Sequence, residues 1–194
     1  MLHVLKLPNL PKSSRTLLQT PRETTIAKMG NGHYWHNGLE KGIVNLLPKI
    51  DSATNLELSF NIDGLPIYNS TKMEFWPILC LINNMRNLHP FVVGIYCGTT
   101  KPPSVQGFLT PFVEEIKPLL KNGIFINGIK CSLKVRCFIC DTPARSFAKG
   151  VVNFNAYNRC TRCTVIGEYN HESHRMSFPC IDLNVIWLKH LNYD

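Results

Sequence analysis

Two short stretches of this chain run apolar and strand-like, end on a carboxylate and then break. They are Leu58-Ser59-Phe60-Asn61-Ile62-Asp63-Gly64 and Val135-Arg136-Cys137-Phe138-Ile139-Cys140-Asp141-Thr142-Pro143-Ala144-Arg145. Neighbouring strands of one sheet lie about 4.8 Å apart, so two such strands side by side bring Asp63 and Asp141 within reach of a shared divalent cation. A two-metal phosphoryl-transfer site holds its ions roughly 3.5–4 Å apart. The spacing therefore suits metal-assisted chemistry on a phosphodiester, a reaction that ordinarily takes a third carboxylate as well.

Each acid has a plainer reading when taken alone. Asp63-Gly64 is a common turn pair, and Gly64 permits a sharp change of direction after the strand. Asp141-Thr142-Pro143-Ala144 is a helix N-cap followed by proline in the first turn. The two together carry more weight than either, because the intervening elements return the later strand beside the earlier one with both acids at the same edge.

Composition sets the frame. The 194 residues, 44% of them hydrophobic, suffice for one domain with a real core. A formal charge of +8 favours a polyanionic partner, since Lys and Arg neutralise phosphate. Apolar runs are short and interrupted, so no transmembrane helix is expected. Residues 1–12 contain Pro8 and Pro11 and no apolar stretch of signal-peptide length, which points to a nuclear or cytosolic rather than secreted protein. The eight cysteines are then reduced thiols or metal ligands rather than disulfides.

Along the chain, residues 1–37 are rich in Pro, Thr, Ser, Asn and Gly and read as an extended arm with little regular structure. Leu39, Ile43, Leu46 and Leu47 space a helix that Pro48 stops. Strands follow at 55–63, 76–82 and 91–97, then a helix over 105–121 with Phe108, Phe112, Ile116 and Leu119 on one face. Pro111 and Pro118 weaken that helix towards its ends. Asn127-Gly128 signals a tight turn between 124–126 and the long strand 129–140, and a further helix follows Asp141. The order β-β-β-α-β-α is that of an α/β, ribonuclease-H-like mixed sheet. The expected division is an arm and short helix over 1–50, a core over 51–158, and a small Cys/His-rich region with a divergent tail over 159–194.

The pair Asn61-Ile62-Asp63-Gly64-Leu65-Pro66 and Cys140-Asp141-Thr142-Pro143-Ala144-Arg145, with Phe75-Trp76-Pro77-Ile78 between them and Asn158-Arg159-Cys160-Thr161-Arg162-Cys163 after them, resembles a known family. It is similar to transposases with a ribonuclease-H-like core and an acidic triad. The likeness is to the transposase-derived proteins of insect and other animal genomes, distantly similar to CACTA-type transposases. The stretches 10–22 and 34–39 resemble what precedes that core. The resemblance covers roughly residues 8–180 and implies Asp63 and Asp141 as the first two carboxylates, holding Mg²⁺ or Mn²⁺. It also implies DNA as partner and, by ancestry, DNA cleavage and strand transfer. The chain departs from the family in lacking a glycine before the cysteines and a recognisable third acid after them. The expectation is a truncated, catalytically inactive product that binds DNA weakly and without sequence preference; Asp182 is the one late acid opening a helical-looking stretch.

Cys160-x-x-Cys163 has metal-ligand spacing, with His171, His174 and Cys180 downstream. Two thiolates and two imidazoles give zinc a closed tetrahedral shell; the alternative is reduced thiols beside a solvated His-rich loop. Cys137 and Cys140 are three apart in a strand and point to opposite faces, while Cys80, Cys97 and Cys131 read as small core residues. His33 and His36, beside Tyr34 and Trp35, either stack on bases or anchor the arm. Lys130, Lys134 and Arg136 alternate along one strand face, which either meets a phosphate backbone or is simply solvated. Against the transposase-derived reading stands a non-catalytic DNA- or protein-binding module on the same fold.

Overall fold

The computed structural model describes residues 24–47, 49–67, 72–151 and 166–178, together with Ser13 and Leu17. Its centre is a mixed sheet curled around one layer of helices. The strands are β1 (Ala27–Met29), β2 (Gly32–His36), β3 (Asn55–Ile62), β4 (Leu65–Pro66), β5 (Glu74–Ile82), β6 (Phe91–Gly98), β7 (Ile124–Ile126) and β8 (Ile129–Ile139). They lie in the order β1-β2-β6-β5-β3-β8-β7, with β4 on β5. Every pairing is antiparallel except β3 with β8, which is parallel. A separate hairpin is formed by β9 (Glu168–Asn170) and β10 (Arg175–Ser177).

The helices are α1 (Leu39–Leu46), α2 (Val105–Asn122) and α3 (Thr142–Ala148). In β3 the apolar side chains Leu56, Leu58, Phe60 and Ile62 alternate inwards, and each is essentially inaccessible to water. They meet Ile78, Cys80 and Ile82 of β5 and the α2 stripe Phe108, Phe112, Ile116 and Leu119. Phe60 packs edge-on against Phe112, ring centroids 4.8 Å apart. Burying each such side chain is worth about 1.5–3 kcal/mol. That explains why α2 runs unbroken through Pro111 and Pro118, although each proline removes one helical hydrogen bond. The helix starts where Ser104 Oγ accepts from the Gly107 N–H at 3.1 Å. It stops at Gly123, whose φ of 79° suits glycine.

Long, periodic elements match the sequence reading closely; the arm does not. Part of the segment expected to be irregular, Ala27–His36, is a hairpin that extends the sheet beyond β6. Its inward Tyr34 is 4% exposed and stacks edge-on against Phe108, ring centroids 5.9 Å apart. The hairpin is thus bound by a side chain that composition-based reading cannot weigh. Asn127 and Gly128 both take positive φ, 49° and 79°, as a two-residue turn between twisted strands requires.

Asp63 does not end in a turn. Ile62 faces Ile78, and Leu65 faces Phe75, so β4 resumes β3 against β5 with the same offset. Positions 63 and 64 therefore stand opposite Pro77 and Trp76. Pro77 has no N–H to offer, and the ladder is interrupted there. Gly64 is absent from the residues with positive φ; its missing side chain instead makes room for the Trp76 indole.

Candidate acidic site

The parallel ladder of β3 and β8 sets Asn61 opposite Ile139. Two residues beyond each come Asp63 and Asp141, so the two acids emerge at the same end of adjacent strands. The Asn61 side chain reinforces the pairing by donating from Nδ2 to the Ile139 carbonyl at 3.0 Å. Asp63 is half-buried and Asp141 exposed. The Cys140 thiol feels the charge of both. Burial raises its pKa most; the Asp141 and Asp63 charges raise it further, while the Ile62 N–H and Arg145 lower it.

Each carboxylate also has local work. Asp141 Oδ1 accepts from the Ala144 N–H at 2.7 Å and caps α3 as the sequence indicated. Asp63 Oδ1 accepts from the Gly64 N–H at 2.8 Å. Oδ2 of each takes no part in these two bonds, and a carboxylate oxygen is the kind of ligand a hard divalent cation takes. Arg145 of α3 donates to the Cys140 carbonyl at 3.2 Å, which sets a cation beside the residue that precedes Asp141. Its place in the D-x-P-A-R stretch was visible in the sequence, but its bond back to the residue after β8 was not. Among the described residues no third His, Cys, Asp or Glu joins the pair.

The other candidates are scattered. Lys130 and Lys134 are exposed on β8. The stripe with Arg136 is broken, because the β3–β8 register slips between Leu58 and Ser59 and leaves Arg136 as the extra residue. Arg136 lies 4.0 Å from the Glu57 carboxylate, an exposed and weak pair. Lys130 lines an open depression of about 450 Å³ with Thr54, Asn55, Lys121, Asn122 and Ser132, at the opposite end of β3 from Asp63.

Of the zinc candidates, His171 and His174 are exposed at the tip of the β9–β10 hairpin. The His174 Nδ1 is 3.2 Å from the Tyr169 hydroxyl, while Cys160, Cys163, Cys180 and Asp182 lie outside the described residues. Cys80 and Cys131 are fully buried and Cys97 partly so.

The aromatic stretch around residue 34 divides in two. Tyr34 and His36 face the core, with His36 Nε2 on Glu115 Oε2 at 2.9 Å and Nδ1 on the Tyr34 hydroxyl at 3.0 Å. His33 and Trp35 face the other way.

The fold and site thus define a mixed α/β domain with two strand-end carboxylates. None of the described helices is long and apolar enough to cross a membrane. Comparison with known protein families finds none that matches the chain, and comparison with curated proteins finds no match either.

Proposed function

We propose that this chain is a transposase-derived nucleic-acid-processing domain of ribonuclease-H-like ancestry, in which Asp63 and Asp141 hold Mg²⁺ or Mn²⁺. The observation that carries the reading is the parallel β3–β8 ladder with an acid two residues past the Asn61–Ile139 pair on each strand. The spatial order β6-β5-β3-β8, with α2 crossing over before β8, supports it. A bound cation would activate a water or hydroxyl and stabilise the leaving oxygen. The residues' own part is to present two acceptor oxygens from rigid strand ends, with Arg145 at hand for a phosphate. DNA is the proposed partner, held weakly and without sequence preference by Lys and Arg contacts that fade as salt rises. Nuclear location follows from that partner, and zinc at Cys160, Cys163, His171 and His174 rests on ligand spacing alone.

A second reading, a non-catalytic binding module, is favoured by one observation. Both carboxylates already serve the local backbone. The two readings part in a Mn²⁺ titration. Binding that Asp63→Asn weakens at least tenfold supports the metal pair, since an amide lacks the charge a hard cation requires. Equal binding by the variant removes it. Nicking of DNA by the chain, lost in Asp141→Asn, would establish catalysis.

A further inference from the structure

The face of the sheet turned away from the helices carries a row of side chains defined pair by pair. Lys28 faces His33, His33 faces Cys97, Cys97 faces Phe75, and Phe75 faces Leu65. Four inter-strand steps of about 4.8 Å make the row roughly 19 Å long. The neighbouring row pairs Trp35 with Ile95 and Ile95 with Pro77, and the shared β3–β4 register puts Asp63 next in line. The inward residues between these rows are Tyr34, Tyr96 and Trp76, all buried in the core, so both rows lie on the opposite face. No described helix packs there.

The row is open to water. Lys28 and His33 are exposed, and Phe75 and Leu65 retain 39% and 48% of their accessible surface. Exposed rings on a strand surface cost free energy unless something covers them. The pattern of rings with a cation, Lys28, at the head of the row, on a chain of net charge +8, selects the cover. Base faces stack on aromatic side chains while Lys and Arg track the phosphates. Only unpaired bases present those faces, because in a duplex they are already stacked.

We propose that this open face is a stacking platform for single-stranded nucleic acid, with His33, Trp35 and Phe75 as the ring contacts and Lys28 as a phosphate contact. The strand runs along the exposed row from Lys28 towards Leu65. The proposal is independent of metal binding, since stacking needs no cation at the acid pair.

The test is fluorescence anisotropy of labelled oligothymidylate with the full chain, at low salt and in chelator. The single strand should bind more tightly than its duplex with oligoadenylate. Phe75→Ala should weaken single-strand binding roughly 5- to 100-fold, the range expected for one stacked base, and Phe75→Tyr should restore most of it. Lys121→Ala, at the far end of the molecule, should leave it unchanged. Equal or tighter binding of the duplex overturns the proposal, as does wild-type affinity in Phe75→Ala or no oligothymidylate binding by folded protein. Mn²⁺ binding should persist in Phe75→Ala and single-strand binding in chelator should persist in Asp63→Asn, so failure of one reading is distinguishable from failure of the other.

Discussion

Gly64 and Trp76 touch across the β4–β5 boundary: a Cβ on residue 64 would lie 2.8 Å from Cζ2 of the indole. The indole has little freedom to yield. It packs against Phe147 of α3 at 5.0 Å, donates from Nε1 to Glu74 Oε2 at 3.1 Å, and is 7% exposed. The contact therefore couples the residue after Asp63 to the helix that Asp141 caps. Gly64→Ala should cost about 1–3 kcal/mol through overpacking, and the tryptophan emission should shift. An unchanged urea midpoint would show that the ring gives way freely.

Glu115 caps a helix that has no cap of its own. Gly38 supplies no side chain at the start of α1; instead Glu115 Oε2 accepts from the Leu39 N–H at 2.7 Å and Oε1 from the Glu40 N–H at 3.0 Å. His36 holds the same carboxylate, so one side chain ties β2, α1 and α2 together. Glu115→Ala should cost about 1–3 kcal/mol, because two backbone donors and an imidazole lose their acceptor. Glu115→Gln should cost less, keeping one acceptor oxygen. Chemical denaturation of both variants checks the order, and equal stabilities would contradict it.

Stability should decline at alkaline pH. Burial, and then the Glu115 charge, push Tyr34 up from 10.0 to about 12. Burial pushes Cys80 up from 9.0 to about 12. Both groups hold their protons more tightly in the folded chain than in the unfolded one. Their contribution is complete below the unfolded values and is lost as pH rises from about 9 to 12, on the order of 2 kcal/mol for Tyr34. Urea midpoints measured across that range should fall, and less steeply in Tyr34→Phe. An identical slope in the variant would assign the loss elsewhere.

The capping role of Asp141 separates from any metal role by choice of substitution. Asparagine still accepts from the Ala144 N–H and should leave stability nearly unchanged, while Asp141→Ala should lose about 1 kcal/mol. Thermal melts of the two variants without metal make the comparison. If Asn destabilises as much as Ala, the carboxylate charge itself is needed for the fold.

Much of this architecture was legible in the residues. The alternation of Leu56, Leu58, Phe60 and Ile62 made β3 readable, and the spacing of Phe108, Phe112, Ile116 and Leu119 did the same for α2. Asn127-Gly128 marked the β7–β8 turn, and Asp141 with Pro143 marked the start of α3. These are local signals: side-chain period, proline geometry and the left-handed preference of particular residues act within a few positions of the chain.

What tertiary structure decided was everything set by a partner distant in sequence. The edge hairpin Ala27–His36 exists because Tyr34 finds a place against Phe108. The Asp63-Gly64 pair, a turn by local chemistry, stays extended because Pro77 and Trp76 stand opposite it. Arg136 leaves its stripe because β3 and β8 slip by one residue, and Glu115 caps a helix seventy-six positions away from it. Adjacency of Asp63 and Asp141 belongs to the same class. The two acids lie far apart along the chain, and only the parallel ladder between their strands, a long-range pairing that local propensity does not encode, brings them to one edge.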